Sequence, residues 1–470
     1  MRKNKFGKNK VAKIRRTLCF AMAVVCAACS LGACGSEDDR HIYPDSTPSS
    51  TANVDVPPEP IPKGDPITVE YHSIFEDGFA YVTYEESGSD MQGMINTDGV
   101  LVYSNSGVYL HSIGKNAIAE TRNNMLSRII DASGNVVKEF DEDLTYMCHG
   151  GGYVMVSKSS VSEVLIGIID YNGNWVYELS SLGYPLSVDV YENKHAYVGD
   201  DVFYVRVDAG SKNDDHIFIN LKTNSKFLIK NRYLRSSKSI GVIEENPIHF
   251  VNGVSFAYNV DKYSETGSAS IVNLATGKEK ALPEYFLLHT DGTFEEYEIP
   301  ENVTASYSNG YMIFIDKEDR KNMSFQNISN PGSKMINYTA PAAINTANGF
   351  DDEGYCSILL NGIDGGYVTA IDENGVQLFE PFKVVDFWAA NGFGNGTIVY
   401  KNSVGKLCVY SIKDNKTTET DYIVRGTDEK TTIGAFNDGR AFVDISRRSG
   451  IDSCFLIDKD NNRIDIAKAK

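Results

Sequence analysis

The sequence predicts an all-β protein, a β-propeller of about eight blades (seven to nine), each a three- to four-stranded antiparallel meander, with an open β-solenoid as the alternative. Three observations carry this. From Ile67 onward, alternating segments such as Ile67-Thr68-Val69-Glu70-Tyr71 and Val202-Phe203-Tyr204-Val205-Arg206-Val207 dominate, with almost no helical period. A second turn follows the leading glycines Gly78, Gly152, Gly354 and Gly439 at distances of 21, 21, 21 and 22 residues. In the C-terminal half the leading glycines Gly310, Gly354, Gly396 and Gly439 lie 44, 42 and 43 residues apart, the length of one four-stranded blade.

The clearest unit is Phe75–Val102. Phe79-Ala80-Tyr81-Val82-Thr83-Tyr84 is β-branched and aromatic and follows a glycine that can take positive φ, so it reads as a strand. Gly93-Met94-Ile95-Asn96 extends again, and Asp98-Gly99 reverses the chain into Val100-Leu101-Val102-Tyr103. The same order returns at Gly152–Val156 with Ile168–Gly173, at Gly354–Leu360 with Ala370–Gly375, and at Gly439–Val443 with Phe455–Asn461. Weaker copies centre on Asn116–Ala119 with Ile129–Gly134, on Val202–Val205 with Ile217–Asn220, and on Gly253–Ala257 with Ile271–Gly277, which makes nine units in all. The last unit is expected to supply three strands, with Ile67–Tyr71 pairing beside it to close the ring.

Phe75-Glu76-Asp77-Gly78-Phe79-Ala80-Tyr81-Val82 and Phe436-Asn437-Asp438-Gly439-Arg440-Ala441-Phe442-Val443 closely resemble the first half of a WG-repeat unit, F-x-x-G-x-A-x-V. The resemblance spans most of residues 70–465. No copy has the Trp-Gly pair; Gln92-Gly93-Met94-Ile95 and Ile166-Gly167-Ile168-Ile169-Asp170 keep only the glycine. The resemblance implies a β-repeat fold and no defined activity.

The N-terminus gives an address. Residues 1–16 are strongly basic, and Thr17–Ala33 is an uncharged stretch of 17 residues, together an export signal. Leu31-Gly32-Ala33-Cys34 resembles the bacterial lipobox, whose small residues admit a lipoprotein signal peptidase; the resemblance implies that Cys34 becomes the mature N-terminus and carries a lipid. An uncleaved span or ordinary secretion are the alternatives, and 17 residues is at the short limit for a span. Seven of the 14 prolines lie between Pro44 and Pro66 among Ser, Thr and acidic residues. The expected organisation is therefore a signal peptide at 1–33, a disordered tether at 34–66, able to reach tens of ångströms, and a repeat domain at 67–470. The formal charge of −18 includes eight Lys and Arg in residues 1–33, which leaves −26 on the rest and disfavours nucleic acid as a partner.

Motifs that could carry chemistry are sparse. Cys148-His149-Gly150-Gly151-Gly152 resembles an oxyanion segment of esterases, but no G-x-S-x-G accompanies it, and Gly152 already leads a repeat strand. Asp458-Lys459-Asp460-Asn461-Asn462 starts like a calcium loop, yet Arg463 and Ala469 stand where that loop needs Gly and Glu, so it reads as a hairpin turn. The eight histidines, His41, His72, His111, His149, His195, His216, His249 and His289, form no H-x-x-x-H pair. Cys148, Cys356, Cys408 and Cys454 form no C-x-x-C, and the last three fall in repeat strands; spacing alone leaves their pairing open. Of the two tryptophans, Trp175 and Trp388, the second sits in Val384-Val385-Asp386-Phe387-Trp388, where an aromatic fills a gap between blades or stacks on a ligand.

The expectation is thus a lipoprotein outside the cytoplasm, held to the bacterial cell membrane through Cys34, with a propeller that binds a protein or glycan partner, without cofactor or metal. The alternative is a secreted propeller enzyme, a polysaccharide or peptide hydrolase or lyase, betrayed by carboxylates or histidines of perturbed pKa converging in the central channel.

Overall fold

The I-D-x-x-G grammar has a hydrogen-bonding cause. In the first unit the Asn96 side-chain oxygen accepts the amides of Asp98 and Val100, each at 3.0 Å, and Gly99 takes a φ of 73° with its amide on the Asn96 carbonyl. Asp131, Asp170, Asp372 and Asp458 each do the same for the amides two and four residues on. An Asx residue that mimics a backbone turn, followed by a residue tolerating positive φ, fixes where each hairpin reverses. Asp458-Lys459-Asp460 is one of these turns.

The computed structural model describes residues 63–470 except 142, 160–163, 187–195, 208–214, 231–233, 236–247, 260–268, 331, 352, 363–364, 385–391, 403–405, 424–428, 435 and 448–449. Residues 1–33, the tether as far as 62, His41, His195 and Trp388 lie outside the described residues. Among the described residues there is no α-helix; one 3-10 turn, Leu179–Leu182, interrupts the strands.

The strands form eight sheets among the described residues. The eight-stranded sheet is two four-stranded meanders, Tyr109–Glu139 and Leu144–Glu178, joined by a single bridge between Thr145 and Met125. Later sheets are plain four-stranded meanders, such as Ala343–Ala347, Tyr355–Gly362, Gly365–Asp372 and Phe382–Val384. Fourth strands are the exposed ones: Val136–Glu139 has no buried residue, and Trp175–Glu178 has none. Gly167 lies beneath the Trp175 ring, so that a Cβ there would meet it at 2.2 Å; the glycine before the apolar pair of a repeat gives space to an outer-strand side chain.

Consecutive meanders pack face to face. One cluster, with Phe79, Met94, Leu110, Ile118 and Ile130, joins the first to the second; another, with Met147, Met155, Phe203 and Val205, joins the third to the fourth. The last meander closes on the first in the same manner: Val69, Phe75, Val82 and Ile95 share a core with Phe442, Leu456 and Ile466. This end-to-end closure makes the fold a β-propeller and removes the open solenoid.

Two sequence expectations are corrected. The last meander has four strands of its own, Glu429–Ile433, Ala441–Arg447, Gly450–Ile457 and Arg463–Ile464. Closure comes instead from Ala467–Ala469, which adds in parallel to Val100–Ser106 of the first sheet and pairs antiparallel with Lys63–Pro66, while Val69–His72 is the first strand of the first meander. The second correction concerns Ile271–Gly277. Val254–Asn259 pairs with Tyr285–His289, whose hairpin turns at Asp291-Gly292, and the hairpin Ser270–Asn273 with Glu279–Ala281 extends the preceding sheet at Lys226–Lys230. Two turns, one on Asn273 and one at Asp291-Gly292, lie in one unit, and strand pairing selects the second.

The seam between last and first meanders yields a stability prediction. Phe442 is 4 % exposed and stacks on His72 at 3.8 Å and on Phe75 at 5.3 Å. Phe442→Ala should cost about 3–5 kcal/mol, read as a lowered denaturation midpoint with native-like circular dichroism. A change below about 1 kcal/mol would show that the seam is not packed as described.

Candidate functional site

In a four-stranded meander the first and third turns fall at the same end of the sheet. The first turns pack on one another through their Asx residues: the Gly253 amide donates to Asp200 at 2.7 Å, Gly439 to Asn395 at 3.0 Å, and Gly78 to Asp438 at 2.9 Å. Each of these Asx residues has a φ near 50°. This end of the fold therefore collects carboxylates. The surrounding protein, then Asp77 and Asp438, pushes the Glu76 carboxyl up to about 7, and Asp77 is raised by the same burial and by Asp438, against Lys115. Both side chains are exposed, so the shifts reflect crowded like charges rather than a stability term.

Beneath these turns the first strands of neighbouring meanders bring polar aromatics together. His111, on Tyr109–Gly114, stacks on Tyr146 of Leu144–Gly150 at 4.4 Å and 15°, and its ring lies 5.4 Å from that of His149. The Tyr146 hydroxyl is hydrogen-bonded to His149 Nδ1, and His111 Nε2 to Thr121 Oγ1 at 3.3 Å. Enclosure by protein lowers His111 to about 3, helped by His149, and lowers His149 to about 4; it raises Tyr146 well above the usual phenol range. At neutral pH the cluster is uncharged and offers hydrogen-bond donors and acceptors beside ring faces.

An exposed group of tyrosines continues from it. Tyr109 is 62 % exposed and shares a strand face with His111, two residues on. Tyr71, 48 % exposed, lies edge-on to Tyr81 at 6.2 Å. Burial, then Tyr109 and Tyr71, pushes the Tyr81 hydroxyl up to about 12. Tyr71, Tyr81, Tyr109, His111, Tyr146 and His149 thus form an aromatic strip over the first three meanders.

The remaining sequence candidates fall as follows. The glycines after His149 serve packing: a Cβ on Gly150 would meet the Tyr197 ring at 2.1 Å and one on Gly151 the Tyr197 hydroxyl at 2.7 Å, and the Gly152 amide donates to the Ile113 carbonyl. Cys148, Cys356 and Cys408 are buried free thiols, and burial pushes Cys148 up to about 12; Cys454 is free and partly buried. His216 packs edge-on to Tyr204, and His289 pairs with Glu295 at 3.4 Å. Leu31, Gly32, Ala33 and Cys34 lie outside the described residues. His72 and Tyr146, which short-range metal motifs pass over, each stand six residues before a leading glycine, Gly78 and Gly152; aligning the repeats on those glycines brings them out.

A histidine with lowered pKa in the folded state leaves the unfolded chain binding more protons below pH 6.5. Stability contributed by neutral His111 and His149 is full above about 6.5 and is lost as pH falls towards about 4 and then 3. His111→Phe keeps a ring on Tyr146 and removes one titration, so its thermal midpoint should fall less than that of the wild type between pH 6.5 and 4. Identical pH slopes would contradict this.

Neither a protein-family model nor a curated protein matches the chain, so the likeness to WG repeats stands on the residues alone. Among solved structures the chain is similar to the dihydro-heme d1 dehydrogenase NirN in complex with DHE (11 % identity, TM-score 0.31, covering 74 % of this chain and 73 % of that one). It is also similar to apo AztD from Citrobacter koseri (11 %, TM-score 0.28, 75 % and 93 %). A third is Kluyveromyces lactis Hsv2 (9 %, TM-score 0.26, 86 % and 100 %). At these scores the likenesses carry no argument; the fold assignment rests on sheet topology and on the seam.

Proposed function

We propose that the chain is a WG-repeat-like lipoprotein, carried through Cys34 on the outer side of the bacterial cell membrane, whose propeller acts as a non-enzymatic binding module for a protein or glycan partner. The observation that carries the binding role is the aromatic strip, and it favours a glycan: exposed rings at Tyr71 and Tyr109 can stack on sugar faces, while the neutral His111, Tyr146 and His149 can meet hydroxyls. Magnitude argues against catalysis by the Tyr146–His149 pair. A histidine held near 4 and a phenol held well above its usual range are both far from a working neutral pH, where proton transfer is most efficient.

A second reading, a hydrolase or lyase acting on a polysaccharide or peptide, is favoured by one group. Glu76, pushed up to about 7 beside Asp77 and Asp438, is poised to donate or accept a proton. Glu76→Gln would abolish such an activity and leave glycan binding in place.

Two experiments test the main reading. Cys34→Ala should move the protein from the membrane fraction to the medium or leave its signal uncleaved; retention of a correctly trimmed chain would sink the lipid anchor. On a glycan array, Tyr71→Ala and Tyr109→Ala should each weaken binding by about 1 kcal/mol, roughly fivefold, because each removes one exposed ring. Binding unchanged in both would move the contact surface elsewhere.

A further inference from the structure

His72, Asp444 and Cys454 meet at the seam, with one ligand atom from each lying within 4.8 Å of the others. His72 ends the strand Val69–His72 of the first meander; Asp444 and Cys454 face each other across the strands Ala441–Arg447 and Gly450–Ile457 of the last. The three side chains thus come from both ends of the folded chain, 372 residues apart for His72 and Asp444.

Their side chains gather three donor atoms about one position. His72 Nδ1 lies 2.9 Å from the Ser73 carbonyl oxygen, which can only accept, so Nδ1 carries the ring hydrogen. Nε2 lies 3.0 and 3.1 Å from the two carboxylate oxygens of Asp444, so the imidazole nitrogen and the carboxylate converge on one point. The Cys454 thiol reaches the same point and is hydrogen-bonded to Asp444.

A divalent metal ion answers for all three. Imidazole nitrogen, carboxylate oxygen and thiolate sulfur are a donor set suited to zinc, and three protein ligands with one open position is an established coordination pattern. The Nδ1–H bond to a backbone carbonyl is the outer contact that orients a metal-bound histidine. Ligand atoms about 3.3–3.8 Å apart fit tetrahedral zinc; the Nε2–carboxylate pair at 3.0–3.1 Å has to open slightly and the thiol, within 4.8 Å of both, has to settle beside them, within rotamer adjustment. The site is not sealed: His72 and Asp444 side chains are 16 % and 20 % exposed, which gives the ion a way in. On binding, Cys454 loses its proton to solvent as the metal–sulfur bond forms, with no change of oxidation state.

We propose that His72, Asp444 and Cys454 bind one Zn²⁺ that clasps the last meander of the propeller to the first. The test uses the full-length chain, untagged, stripped with a chelator and titrated with Co²⁺ and then Zn²⁺. The expected result is one equivalent bound, a near-ultraviolet sulfur-to-cobalt charge-transfer band that Zn²⁺ abolishes, and a thermal midpoint that rises on Zn²⁺ addition. In Cys454→Ser the band should vanish, and in Asp444→Asn Zn²⁺ affinity should fall more than about tenfold, each with the midpoint shift removed. No charge-transfer band in the wild-type chain would overturn the proposal, whether or not the variants fold. So would a band and a midpoint shift that survive in Cys454→Ser, since another thiol would then be the ligand.

Discussion

Closure of the last meander on the first is the constraint on which the structure depends, and the seam obeys the same rule as the other joints. The amide of Gly78 rests on Asp438 as that of Gly439 rests on Asn395 and that of Gly253 on Asp200. A meander packs one face on the meander before it and the other on the meander after it, as the first does on the second and on the last, so an open array would end in two bare apolar faces. Here those faces, carrying Val69, Phe75 and Val82 on one side and Phe442 and Leu456 on the other, cover each other. The chain ends then add a fastening of their own: Ala467–Ala469 lies between Val100–Ser106 and Lys63–Pro66, and the Ile67 amide donates to the Ile466 carbonyl.

The same packing sets the chemistry. Because first strands of adjacent meanders stand close, His111, Tyr146 and His149 meet although they come from two different meanders, and the protein around them keeps them uncharged. Because all first turns fall at one end, their Asx residues gather there, and Glu76 and Asp77 lie among like charges. The aromatic strip and the acidic rim are therefore two consequences of one topology rather than two separate inventions.

Much of the fold was legible in the sequence because the repeat turn is local chemistry. An Asx residue followed by a tolerant turn position marks Asp131, Asp170, Asp372 and Asp458 without reference to the rest of the chain. Strand pairing was less legible. Ile271–Gly277 and His289–Gly292 both carry turn chemistry, and only the register of Val254–Asn259 against Tyr285–His289 decides between them. The closing strand Ala467–Ala469 is too short to announce itself. The candidate sites were least legible: the His72–Asp444 contact spans 372 residues, beyond any motif spacing, while Tyr109 and His111 betray themselves only once their strand is known to sit at a first position.

The most direct test of closure is amide hydrogen exchange of the native protein, comparing the seam with the middle of the array. A closed propeller predicts that the amides of Ile67, Ala467 and the strand Gly450–Ile457 exchange as slowly as those of an interior sheet such as Tyr355–Gly362. Seam amides exchanging orders of magnitude faster, while interior sheets stay protected, would mean that the two ends stand apart and that the ring is open in solution.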